Sequence, residues 1–161
     1  MHDCDIAENR RSLVMSEIMT PNMSNFQGNV HGGYVLAFLD KVAYACAARY
    51  TGSNVVTLSV DEVLFKEPIY VGELVLFYAS INYVGRSSLE VGIRVVAENI
   101  ISSTSRHTNT CYFTMVCVDE NGKPQKAPEL QIHNETQRRR FDEAVVRKEA
   151  RLKVASYNGA R

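Results

Sequence analysis

The run from Gly32 to Arg49, GGYVLAFLDKVAYACAAR, constrains the fold of this chain more than any other stretch. It is rich in Ala and Leu, both good helix formers. Gly52, in the TGSN that follows, stands where such a helix should stop. Between Tyr34 and Ala48 only Asp40 and Lys41 interrupt the apolar side chains. A helix that is apolar on every side is expected to be buried on every side, so other parts of the chain must wrap it. Asp40 then raises a question, because a carboxylate in such a run is costly unless something uses it.

The wrapping material flanks the helix. Ser12–Thr20 reads as a strand stopped at Pro21, and PNMSNFQGN reads as a polar loop. Strand candidates after the helix are Val55–Phe65, Glu73–Val84, Leu89–Ile100 and Arg106–Asp119. EPIYVGE, GRSS, Ile101–Ser105 and ENGK turn between or after them, with Gly85 of GRSS expected to supply a positive φ. Short turns between consecutive strands imply an antiparallel sheet, and long strands should curl because sheets twist. One buried helix against one curled sheet is an α+β architecture. From about Asn134 a charged segment reads as a surface helix with a narrow apolar stripe of Phe141, Val145 and Leu152, flanked by Ala144 and Val146. Asn134 with Gln137 partly matches a capping box.

A length of 161 residues suits one domain with a proper core. The formal net charge of zero argues against bulk attraction to nucleic acid or to acidic membranes. Apolar runs break well before the span of a membrane helix. The N-terminus, MHDCDIAENRRSLV, carries acids and lacks the apolar region of a secretory signal. Cys4, Cys46, Cys111 and Cys117 form no C-x-x-C pair, so a zinc site has no support. Buried free thiols in a reducing cytoplasm are the expectation.

Four motifs then stand in order: NVHGGYVLAFLD, FKEPIYVGE, the long strand after it, and YVGRSSLEV. Together they resemble the hotdog-fold acyl-CoA thioesterases, bacterial short- and medium-chain acyl-CoA hydrolases and the two-domain brain-type hydrolases among them. The resemblance covers roughly residues 12–118. It implies a hotdog acyl-CoA hydrolase domain over 1–130, with 131–161 as a charged helix packed on or beside it. It also implies hydrolysis of acyl-CoA to a fatty acid and CoA with no separate cofactor, and catalytic roles for Asn29 and Asp40.

The residues bear their own reading alongside this. A carboxylate among apolar neighbours is desolvated, which suits Asp40 as a general base or a nucleophile toward a thioester. Gly32 and Gly33 open the helix, where free backbone N–H groups and the dipole favour a developing oxyanion. Tyr34 adds another N–H candidate. Gly33 and Asp40 lie two helical turns apart, about 10 Å along the axis, too far to engage one carbonyl carbon. The family's answer is a two-fold dimer, in which Asp40 of one chain meets the Asn29–Gly33 region of the other and relatives often assemble as a trimer of dimers. Asn29 is a candidate to orient water or to bond the thioester oxygen, and His31 to orient the loop. Arg86, Ser87 and Ser88 are candidates for CoA phosphates, or form a plain solvated hairpin. From family geometry, Thr57 and Ser59 lie beside the pantetheine arm. The arginines of the C-terminal helix interleave with acids and read as a solvated, salt-bridged face, with a CoA phosphate or a neighbouring dimer as the second choice. Two alternatives on the same fold remain. One is a non-catalytic acyl-CoA sensor, which would need no Asp40. The other is a hydroxyacyl dehydratase using His31 as its base.

Overall fold

A computed structural model describes residues 10–159. Cys4 and the acidic N-terminus lie outside the described residues. Five strands form one antiparallel sheet: β1 (Ser12–Ile18), β2 (Asn54–Val60), β3 (Leu74–Val84), β4 (Ser88–Asn99) and β5 (Thr104–Val118), in the spatial order β1-β3-β4-β5-β2. Helix α1 (Gly32–Thr51) joins the two edge strands, so it must cross the width of the sheet. Helix α2 (Glu135–Gly159) follows the sheet.

The inner face is built by alternation. Val75, Phe77, Ala79 and Ile81 of β3, Val91, Ile93 and Val95 of β4, and Cys111, Phe113 and Met115 of β5 are all buried toward α1. The helix answers with Val35, Leu39, Val42, Ala43, Cys46 and Ala47, one stripe at helical spacing. Phe38 and Phe77 meet with ring centroids 4.6 Å apart. Gly52 ends the helix in the left-handed region at φ 64°, where its N–H reaches the Ala48 carbonyl.

The sheet covers only one side of α1. Leu36, Asp40 and Tyr44 are exposed in the single chain, so neither the all-round burial of the helix nor the desolvation of Asp40 is a property of one protomer. The β2 strand is shorter than expected. A bulge between Thr57 and Ser59 shifts the register, pairing stops after Val60, and residues 61–66 run on as irregular chain. That run keeps two bonds to β5, from the Asp61 N–H to the Tyr112 carbonyl and from the Lys66 N–H to the Thr108 carbonyl. The β3–β4 hairpin closes with the Gly85 N–H on the Ser88 carbonyl, and Gly85 is not among the positive-φ glycines.

Helix α2 lies on the outer face of the sheet. Ala144 is fully buried and Phe141 packs on Tyr83, but Val146 and Leu152 are exposed, which corrects the expected stripe. Arginines take the place of the missing apolar residues. Arg147 bonds the buried Glu90 at 2.7 Å and lies 3.6 Å over the Tyr112 ring. Arg151 bonds Asp61 at 2.7 Å and Glu90 at 3.3 Å. Among the described residues only Arg139–Glu143 bridges within the helix. The basic face is therefore divided: Arg138, Arg139 and Arg140 stand in solvent as expected, while Arg147 and Arg151 are held down on the sheet. Asn134 does cap the helix, its Oδ1 accepting from the Gln137 N–H, while the Gln137 side chain accepts from the His133 N–H.

Candidate active site

The entry to α1 is a tight local network. His31 is the N-cap, and its Nδ1 accepts the Gly33 N–H at 2.9 Å. A side chain at Gly33 would put its Cβ 2.8 Å from His31 Cε1, so this cap requires glycine there. The His31 carbonyl takes the Tyr34 N–H at 3.0 Å. The amides expected to stand free at Gly33 and Tyr34 are thus engaged inside the first turn. The Gly32 N–H has no acceptor among the described residues and is the donor this terminus leaves open. The Phe65 ring flanks it, 3.7 Å from where a Cβ on Gly32 would stand. The Tyr34 hydroxyl donates to Glu17 on β1 at 2.9 Å. Burial, and then the Glu17 carboxylate, raise this phenol above its ordinary range.

The loop before the helix is organised by Asn25. Its Oδ1 accepts the N–H groups of Gln27, at 2.8 Å, and Asn29, at 3.2 Å, while its own N–H donates to the Asn29 carbonyl at 2.6 Å. With the oxygen held, the Nδ2 amino group is fixed as a donor with no acceptor among the described residues. Asn29 gives both backbone groups to Asn25 and forms a bridge with Tyr70. Residue-by-residue reading singled out Asn29 and passed over Asn25. The signal for Asn25 was the turn chemistry of N-x-x-G, with Gly28 at φ 84°.

Asp40 stands on the uncovered side of α1. Its Oδ1 accepts the Thr57 hydroxyl at 2.6 Å, which ties the helix to edge strand β2. Thr57 pairs with the inward-facing Met115 and so faces the helix. Ser59 does not share that face. The bulge sets it opposite Thr114, on the outward side, so the two hydroxyls read as lying beside the pantetheine arm point apart. The Ser88 backbone lies level with Val56, two strands away across β5, about 10 Å. Arg86 is exposed and its guanidinium has no partner among the described residues. The carbonyls of Arg86 and Ser87 hold the Ala127 and Cys117 amides, so the turn backbone is fixed while these side chains stay free.

Two other features lie away from Asp40. A groove of about 490 Å³ on the outer face is lined by Tyr78, Arg94, Tyr112 and Arg140, against α2. Cys46, Cys111 and Cys117 are buried and free, and burial pushes the Cys46 and Cys111 thiols up to about 12, so they serve packing. No helix among the described residues is long and apolar enough to cross a membrane.

Comparison with known proteins sets the class. Residues 27–103 match the thioesterase superfamily. The chain is 51% identical over 144 residues to Protein VdlD of Helicobacter pylori, covering 89% of this chain and 82% of that one. It superposes on a hexameric acyl-CoA thioesterase with a TM-score of 0.88 and 35% identity, over 91% of this chain and 94% of the other. The acyl-CoA hydrolase of Staphylococcus aureus, seen with butyryl-CoA and CoA, gives a TM-score of 0.83 at 26% identity, over 93% of each chain. The chain belongs to the hotdog-fold acyl-CoA thioesterases of that superfamily.

Proposed function

We propose that the protein hydrolyses acyl-CoA to a fatty acid and free CoA in sites shared between two copies of the chain, with Asp40 as the acid–base or nucleophilic group. The observation that carries this reading is the Asp40–Thr57 pair on the uncovered side of α1. Around it Leu36 and Tyr44 are exposed, and β2 is an open sheet edge. A second copy laid against this side would desolvate Asp40 and close the edge together. Antiparallel helices would bring the partner's Gly32 N–H toward the thioester that Asp40 faces.

In that arrangement Asp40 takes a proton from water as the oxygen attacks the carbonyl carbon. The partner's Gly32 N–H and the fixed Asn25 amino group receive the charge gathering on the carbonyl oxygen. The C–S bond then breaks, and the proton held by Asp40 returns to the departing sulfur. If Asp40 attacks directly, water hydrolyses the resulting anhydride and the products are the same. Thr57 holds the carboxylate in register. His31 acts as a cap, and its engagement with Gly33 gives the dehydratase alternative no support. Arg86, Ser87 and Ser88 remain the candidates for CoA phosphates. The hexameric relatives support a trimer of dimers.

Asn25 replaces Asn29 in this reading because of a relative. The Staphylococcus aureus hydrolase has been studied with alanine in place of an aspartate, an asparagine and a threonine. The spacing of those three along that chain equals the spacing of Asn25, Asp40 and Thr57 here. Thiol release from a panel of acyl-CoAs tests the activity, and none above background would sink it. The shared site has its own test. Asp40→Ala and Asn25→Ala chains, each inactive, are refolded together. Random pairing restores one intact site in half the dimers, so about a quarter of the wild-type turnover returns. A mixture that stays inactive defeats the shared site.

A further inference from the structure

The irregular segment from Asp61 to Glu73 runs past the entry of α1 and is fastened at both ends. At its far end Arg106 bonds Glu73 at 2.6 Å and the Pro68 carbonyl at 2.6 Å, and the Glu73 carboxylate accepts the Tyr70 N–H at 2.9 Å. Ile69 and Tyr70 meet the loop before the helix through the Val30 N–H and the Asn29 bridge. At its near end the fastening comes from α2, where Arg151 bonds Asp61 at 2.7 Å while also reaching Glu90. Between the clamps Leu64 and Phe65 are about half exposed, and Phe65 lies against Gly32.

We infer that residues 61–73 form a strap whose Leu64 and Phe65 wall the acyl-chain side of the site, and that Arg151 of the C-terminal helix is a positioning residue that sets this wall through Asp61. The inference rests on the thioesterase reading for its substrate. The physical argument is one of leverage. Between Asp61 and Lys66 the polar ties of the strap to the body, among the described residues, are two backbone bonds to β5 and the ion pair at Asp61, with Val63 packed against the core between them. Releasing the ion pair loosens the wall but leaves Asp40, Thr57 and the Gly32 N–H where they are. A long acyl chain uses the wall, and a short one scarcely reaches it. Arg151 and Asp61 are each about one-fifth exposed, so their pairing is shielded from bulk solvent on most sides.

The test uses the full chain with Arg151→Gln and, separately, Asp61→Asn, which leaves the Arg151–Glu90 bond available. KM for dodecanoyl-CoA should rise about tenfold in both, with kcat held within about twofold and butyryl-CoA kinetics unchanged. Arg151→Lys should recover much of the loss. Amide hydrogen exchange at Asp61 and Lys66 should quicken in both variants, while α1 amides keep their protection. A kcat that falls equally for both substrates, or a chain-length profile unchanged in both variants, overturns the inference. If the unaltered protein hydrolyses no acyl-CoA, the thioesterase reading fails first. Unchanged exchange at Lys66 would then overturn the strap independently.

Discussion

The two helices lie on opposite faces of one sheet and grip it by opposite means. Helix α1 is held by hydrocarbon: Leu39, Val42 and Cys46 are fully buried against Phe77, Val91 and Phe113. Its one acid, Asp40, stands on the side the sheet does not cover and, among the described residues, bonds only Thr57. Helix α2 buries little hydrocarbon beyond Phe141 and Ala144, and is held by Arg147 and Arg151 on Glu90 and Asp61. The difference teaches what a charge is for. In α1 packing carries the stability and the charge is spare, left for the chemistry proposed for it. In α2 the charges are the attachment. Burial acts to lower the Arg147 pKa, but its bonds to Glu90 outweigh that and raise it. The pair is satisfied where it lies.

Three measurements break or sharpen this contrast. The largest effect falls on activity. Asp40→Ala lowers kcat by at least about 100-fold in a thiol-release assay, with an unchanged urea midpoint. A variant that loses stability instead would make Asp40 an attachment, like the charges of α2. Next comes Arg147→Met, which leaves a carboxylate only 1% exposed with the longer Arg151 bond as its remaining ion pair and lowers unfolding free energy by about 3 kcal/mol in urea titration, with kcat/KM kept. Loss of activity without loss of stability would reverse the assignment. The smallest effect concerns the Arg106–Glu73 clamp. Burial works to raise the Glu73 pKa, but the Arg106 and Tyr70 bonds hold it below its ordinary 4.5. Its contribution to stability is therefore complete above pH 4.5 and is lost as pH falls through the lowered native value. Glu73→Gln should flatten the fall in stability below pH 4.5 in a curve measured from pH 7 to 3 and leave its slope between pH 7 and 5 unchanged. An unaltered acid limb would leave this clamp without energetic weight.

Most elements were legible because their patterns are local. The helix of α1 and its stop at Gly52 follow from composition and one glycine, and the β3–β4–β5 meander follows from alternation and short turns. Errors came where a distant partner decides the outcome. The bulge at Leu58 turns Ser59 away from Thr57, and nothing in NVVTLSV announces it. Arg147 and Arg151 of α2 read as solvated because Glu90 and Asp61, their anchors, are far off along the chain. Asn25 was legible as turn chemistry but hidden as a donor, since only the bonds to Gln27 and Asn29 show which end of its amide is free.

By itself the sequence determined that an apolar helix would lie in a curled antiparallel sheet and that a lone acid would ride on it, because backbone propensity and side-chain period act over neighbouring residues. Only the tertiary structure decided which side of that helix the sheet covers, and hence that Asp40 faces outward beside Thr57. Solvent exposure depends on which surfaces meet, and those surfaces come from residues far apart along the chain.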